Sequence, residues 1–220
     1  LENPKNGLFE RLSDSPLICT VRDYDLIISA RYYLGPKNDL GHHESEDDHC
    51  CFAWRDPALF EECDGKIHIF WAEKSVECGR IQTVIGHCVV EQVMANAAVR
   101  LLQPIRLSNE ENITQAEVPQ IIYDQAKQRY VLLCSTTGKD KTRVTVGEDN
   151  LSVNFYTAET LYGPFELCRT VLAQEDQRYP GALVQHANGC LSVAAPFNRS
   201  SSPDKIQTLP PLTRLVIDEY

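Results

Sequence analysis

No run of about 18 consecutive apolar residues occurs in this 220-residue sequence, so no segment is long enough to cross a bilayer as a helix. A membrane is not expected as a partner. Positive charge is also scarce: 21 Lys and Arg against 31 Asp and Glu give a formal net charge of −10, which repels phosphate backbones. Nucleic acid is not expected as a partner either. The opening, LENPKNGLFERL, lacks the basic-then-apolar order of a signal peptide, an absence that carries weight only in a chain complete at its start. C-x-x-C spacing is missing from the nine cysteines, Cys19, Cys50, Cys51, Cys63, Cys78, Cys88, Cys134, Cys168 and Cys190, whose number is odd. That argues against a disulfide framework. Most read as reduced, small buried hydrophobes, with Cys134 and Cys168 expected to pack between strands.

What is present is strand after strand. Hydrophobic residues make up 43% and charged residues 24% of the chain, enough for one core and a single domain over residues 1–220. SPLICTV precedes DLIISARYYL, WRDPALFEE precedes KIHIFWAEK, and QTVIGHCVVEQ precedes VRLLQPIRL. EVPQIIYD then precedes RYVLLCSTT, LSVNFYTAET precedes GPFELCRTVL, and GALVQHA precedes CLSVAAPF. Short polar turns such as RDYD, ECDGK, DQAKQR and HANGC join the members of these pairs, which predicts serial hairpins. The segment EQVMANAAVRLL has helix-forming residues and is the candidate helix. Residues 36–51 read as a flexible polar loop. Within it HHESEDDHCC collects imidazoles, carboxylates and thiols that could hold a metal, but without tetrahedral-site spacing, and no metal is assigned. Sequons at Asn112 and Asn198 matter only in a eukaryotic secretory pathway.

The hairpins repeat with a longer period. Units headed by a polar residue recur near Arg55, Glu117 and Tyr179, at intervals of about 60 residues, as the blades of a β-propeller would. A β-sandwich also accommodates regularly spaced short strands. Polar residues at the first strand of successive units suit a shared central pocket, which favours the propeller.

Three stretches carry a resemblance. The first is Trp54-Arg55-Asp56-Pro57 with the following ALFEECDGKIHIFWAEK. The second runs from LLQPIRLSNEENITQAEVPQ to NFYTAETLYGPFELCRTVLA, including Glu117 and the turn Tyr162-Gly163-Pro164-Phe165. The third is GALVQHANGCLSVAAPF. In this order, over most of residues 16 to 200, the chain resembles glycoside hydrolase family 68. That group holds levansucrases, inulosucrases and β-fructofuranosidases, five-bladed propellers related to families 32 and 43. The resemblance implies an all-β, five-bladed propeller fold, sucrose or a fructan as substrate, no cofactor and an extracellular location.

It also implies roles. Retaining cleavage of a glycoside needs a carboxylate nucleophile and a carboxylic acid that protonates the departing oxygen. By resemblance Asp56 stabilises the charge that develops on the sugar ring, and Glu117 is the general acid/base. A Glu at the start of the apolar strand AEVPQII, partly desolvated beside other carboxylates, is placed to hold a proton. Arg55 would hold substrate hydroxyls and keep neighbouring carboxylates ionised, and Pro57 would fix the strand entry. Trp54, Gln185 and His186 are further candidates for substrate contacts, with Arg143 a weaker one.

The chain departs from the family in three ways. The tryptophan-aspartate motif that carries the family's nucleophile on the first blade is missing, so the nucleophile is expected outside this chain and the propeller is expected to be incomplete. Asp23 is no substitute, because VRDYDL reads as a hairpin turn. The family's acidic residue shortly before the acid/base and its arginine after the next strand correspond here to Thr114 and Thr137. Lastly, the stretch between ARYYLG and WRDP is too short for the rest of a blade. Two functions follow: a sucrose- or fructan-acting glycosidase or fructosyltransferase, or a propeller-derived carbohydrate-binding or interaction module without activity.

Overall fold

The computed structural model describes residues 14–40, 54–91, 97–138, 151–172, 182–186, 190–194 and 213–215. A first antiparallel sheet is a four-stranded meander in the order β1-β2-β3-β4, with β1 Arg55–Glu61, β2 Ile67–Glu77, β3 Arg80–Val90 and β4 Val99–Leu101. A second repeats it as β5-β6-β7-β8, with β5 Ile113–Asp124, β6 Arg129–Gly138, β7 Leu151–Ala158 and β8 Glu166–Leu172. The third has the order β11-β10-β9, with β9 Ala182–Gln185, β10 Leu191–Ala194 and β11 Thr213–Leu215.

Local chemistry explains the turns. In ECDGK the Asp64 carboxylate accepts from the Lys66 N–H at 3.1 Å. In DQAKQR the Asp124 carboxylate accepts from the N–H groups of Ala126 and Lys127 at 3.0 and 3.3 Å, so the aspartates close the turns themselves. Cys78 and Gly79 both have positive φ, 50° and 75°, the left-handed pair that matches the twist of a two-residue hairpin.

Packing is face to face. Phe70, Ile85, Ile105, Leu132, Cys134, Tyr156 and Phe165 fill the space between the first and second sheets. Val131, Leu133, Val153, Phe155 and Val193 fill the next layer, toward the third sheet. Strand β6 therefore buries alternate residues on opposite sides, which is why RYVLLC reads as a continuous apolar run rather than an alternating one. Ile27, Tyr32, Leu34, Trp71 and Cys88 form a third cluster on the outer side of the first sheet. There a Cβ on Gly86 would fall inside the Trp71 ring, so glycine alone lets the indole cross β3.

Two expectations are corrected. DLIISARYYL is not a strand partner of SPLICTV: Tyr24–Ser29 form one short helix, α1. Only Ile27 of that helix is buried, while Leu26 and Ile28 stay exposed. The Asp23 carboxylate accepts from the Cys19 N–H at 2.8 Å and closes the preceding turn, and the chain rejoins the sheet only at a bridge between Tyr32 and Ser75. Burial on one side selects a turn of helix where the residue types favour a strand. The second correction concerns EQVMANAAVRLL, where Val99–Leu101 pair with Cys88–Val90 as β4; residues 92–96 lie outside the described residues. So do 41–51, with the HHESEDDHCC stretch, and Arg143, Tyr179 and Asn198. Of the loop expected at 36–51, Lys37–Asp39 form a 3-10 turn.

The cysteines are reduced as read, but among those described only Cys88 and Cys134 are buried, while Cys63 and Cys78 are exposed in turns. All seven among the described residues are free thiols. Cys134 is fully buried and Cys168 packs on β8 with its sulfur 2.9 Å from the Thr157 hydroxyl on β7.

Candidate active site

β1 and β5 are the edge strands of their sheets, where proline is tolerated because an N–H on one side has no ladder partner. Each carries an X-Pro step inside a β-bulge. On β1, Arg55 pairs with Ala72 and Ala58 with Phe70, so Asp56 and Pro57 together oppose Trp71. On β5, Glu117 pairs with Ser135 and Gln120 with Leu133, so Val118 and Pro119 oppose Cys134. The residue before each proline is left-handed, Asp56 at φ 59° and Val118 at φ 49°. For a β-branched valine that is a genuine outlier, and such strain persists only where the surroundings hold it.

The two bulges hold each other. The Val118 N–H donates to Asp56 Oδ2 at 3.2 Å. Arg55 Nη2 donates to Glu117 Oε1, and Arg55 Nε lies 3.7 Å from Asp56 Oδ2. One guanidinium thus serves two carboxylates from different sheets. Side-chain exposures of 37% for Arg55, 27% for Asp56 and 13% for Glu117 leave the cluster half-buried, with Glu117 deepest. The adjacency of arginine and aspartate at the start of a strand answers to this arrangement: the bulge turns both side chains toward the neighbouring sheet.

Trp54 stands beside the cluster, 4.8 Å from Trp71 and 6.0 Å from Tyr32 between ring centroids. With Leu17, Ile18, Arg55 and Pro57 the two tryptophans line an apolar cavity of about 270 Å³. Gln185 and His186 are not brought to the cluster. Gln185 Nε2 donates to the Tyr123 carbonyl at 3.3 Å, and Tyr123 is six residues beyond Glu117 on β5, roughly 20 Å along an extended strand. His186 shares a hydrogen bond with the Ser192 hydroxyl at 2.8 Å and sits on its own hairpin. Asp23 is engaged by Arg22 at 2.7 Å, a hydrogen bond that with the Cys19 N–H holds its carboxyl below the usual range.

Other polar residues near the cluster were not legible in the sequence. Lys74 is buried; its ammonium donates to Thr83 Oγ1 at 3.0 Å and to the carbonyl of Thr114, three residues before Glu117. Thr114 Oγ1 in turn donates to the Thr137 carbonyl at 3.3 Å, so the two positions that depart from the family pattern meet. Glu73 beside it is buried too, and burial pushes its carboxyl well above the ordinary range despite N–H donors from Lys74 and the Trp71 indole. The only sequence signal for either was a charged pair inside the apolar run IHIFWAEKSV.

No family model matches the chain, and no curated protein matches it. Solved structures do, and the fold they define is that of the β-propeller glycoside hydrolases. The levansucrase of Bacillus subtilis superposes with a TM-score of 0.57 at 13% identity, covering 81% of this chain and 48% of its own. A levansucrase variant complexed with sucrose gives 0.53 at 12% identity with the same coverage. A thermostable family-43 glycoside hydrolase gives 0.46 at 9% identity over 75% of this chain and 53% of its own. The chain spans about half the length of these structures.

Proposed function

We propose that the chain is part of a retaining glycosidase or fructosyltransferase acting on sucrose or a fructan. The observation that carries this reading is the convergence of Arg55, Asp56 and Glu117 from two bulged edge strands into one cluster. In the reaction, Glu117 protonates the glycosidic oxygen as the bond to the fructosyl carbon breaks. A carboxylate on a first blade, outside the residues described above, attacks that carbon from the other side. Asp56 accepts hydrogen bonds from ring hydroxyls, and these strengthen as positive charge grows on the ring. Arg55 moves from Glu117 to the substrate's hydroxyls. Glu117, now a carboxylate, takes a proton from water or an acceptor sugar as that group displaces the enzyme's carboxylate. Hydrolysis and transfer thus share one intermediate and differ in the acceptor.

Kinetics on the protein with its first blade test the roles. Glu117→Gln removes the proton donor, and sucrose turnover falls by ~10²–10⁴, while a fructoside with an activated leaving group loses far less. Asp56→Asn slows both substrates alike, because ring charge develops whatever departs. Equal effects of Glu117→Gln on both substrates refute the acid/base role. A protein that binds these sugars but cleaves no fructoside is instead a binding module.

A further inference from the structure

Strand β5 carries a second bulge, upstream of Glu117. Ile113 pairs with Gly138 and Gln115 with Thr137, which leaves Thr114 as an extra residue. Between this bulge and the one at Val118 and Pro119, the residues Gln115, Ala116 and Glu117 pair in regular register with Thr137, Thr136 and Ser135. Both bulges are tied to the first sheet. The Lys74 ammonium donates to the Thr114 carbonyl, and the Val118 N–H donates to Asp56 Oδ2. The backbone under Glu117 is fixed from both ends, so a change of partner there falls to its side chain.

Ser135 stands directly across from Glu117. Ala116 packs in the layer toward the first sheet, so the Cβ of Glu117, one residue on, leaves the strand on the opposite face. Ser135 shares that face with Leu133 and Val153. From there the Glu117 carboxyl reaches round the edge of its sheet to Arg55. Ser135 is fully buried, and its hydroxyl has no hydrogen-bond partner among the described residues. A buried hydroxyl left unmet is costly. Of its two cross-strand partners, Val153 has no polar side-chain atom and Glu117 has two. The Cβ atoms of a directly opposed pair lie roughly 4.5–5.5 Å apart, which a glutamate side chain spans.

We propose that Ser135 is a positioning residue for Glu117, bonding one carboxyl oxygen once Arg55 has turned to the substrate. This role rests on the glycosidase reading above. In that reaction Glu117 first carries a proton and later accepts one, whereas a guanidinium beside a carboxyl favours the ionised form alone. A serine hydroxyl is both donor and acceptor. It can therefore bond the carboxylic acid and the carboxylate alike. Its bond to one oxygen leaves the other directed at the glycosidic oxygen, in the orientation that proton transfer needs. Passing the carboxyl from Arg55 to Ser135 replaces a charged partner by a neutral one at the step that requires the acid.

The test compares Ser135→Ala and Ser135→Thr in the protein with its first blade, on sucrose and on a fructoside with an activated leaving group. The readout is kcat/KM, which reports the first, acid-assisted step. Ser135→Ala is expected to lower it roughly tenfold for sucrose, the worth of one good hydrogen bond. The activated fructoside, which hardly needs the acid, is expected to stay within about twofold. Ser135→Thr keeps the hydroxyl and restores sucrose cleavage. In a Glu117→Gln background, Ser135→Ala adds no further loss, because both act through one carboxyl. The melting temperature of Ser135→Ala holds or rises, since the hydroxyl removed had no partner. Equal slowing of both substrates, slowing of neither, an equal loss in Ser135→Thr, or a fold lost in Ser135→Ala overturns the role of Ser135. The acid/base reading survives any of these if Glu117→Gln still spares the activated fructoside. A complete protein that cleaves neither substrate removes that reading, and the role of Ser135 with it.

Discussion

His68 and His87 share a hydrogen bond of 2.7 Å where neither ring meets water. Phe70 stacks on His87 at 4.5 Å, the Tyr162 ring lies 5.6 Å away, and a Glu62 oxygen lies 3.2 Å from His68 Nε2. Burial, with the charges of His68 and Arg100, pushes His87 down to about 3. Below pH ~6.5 the unfolded chain therefore takes up a proton that the folded one refuses. Stability falls as pH drops from that value toward 3, by at most ~1.4 kcal/mol per pH unit. Glu73 acts with the opposite sign. Its carboxyl is raised by burial, so its contribution is complete below the ordinary pKa and is lost as pH climbs above about 4.5. Between pH 4.5 and 6.5 the two oppose each other. Urea unfolding from pH 4 to 8 is expected to show a flatter acid limb in His87→Phe and a flatter neutral limb in Glu73→Gln. Unchanged slopes in both would refute the burial argument.

At the scale of elements, the bulges on β1 and β5 do what regular strands cannot. A regular pleat would keep Arg55 and Ala58 on alternate sides; the extra residue re-aims what precedes the proline. The left-handed Val118 costs about 1–2 kcal/mol, and this predicts an unusual mutational signature. Val118→Gly releases the strain while losing a half-buried side chain, so stability should stay within about 1 kcal/mol of the parent. Turnover should nevertheless drop by roughly ten- to a hundredfold, because Glu117 loses its rigid support. Equilibrium denaturation and steady-state kinetics on one variant separate the two effects. A loss of stability above ~3 kcal/mol would show that Val118 packs rather than strains.

Across the whole molecule, Lys74 adds a buried polar tie between sheets that also meet through an apolar layer and through the Arg55–Glu117 pair at their edges. Its bonds run from β2 to Thr83 on β3 of the same sheet and to Thr114 on β5 of the next. Lys74→Met keeps the stem and removes the ammonium, leaving buried acceptors without that donor. A loss of about 1–3 kcal/mol is expected. Lys66→Met, which breaks a solvent-exposed contact with Asp64, serves as the control and should leave the melting temperature unchanged. If the two variants melt alike, the tie between sheets carries no weight.

Local signals determined the strands and their turns. RYVLLC, LSVNFY and the Asp-rich turns hold their preferences within a few residues, so the serial hairpins of an all-β chain were legible without coordinates. Asp56 and Glu117 were singled out by resemblance, and Pro57 was read as the entry to a strand; that both prolines sit in bulges of edge strands came from the structure. The sequence could not say that DLIIS would coil, because its residue types suit a strand and only one-sided burial beside Trp71 selects the helix. Nor could it part Gln185 and His186 from the cluster, or reveal that Lys74 crosses between sheets. Arg55 and Glu117 stand 62 residues apart. Their meeting depends on how two sheets stack and on where each strand gains an extra residue, and stacking and register are properties of the packed core that no short window of sequence contains.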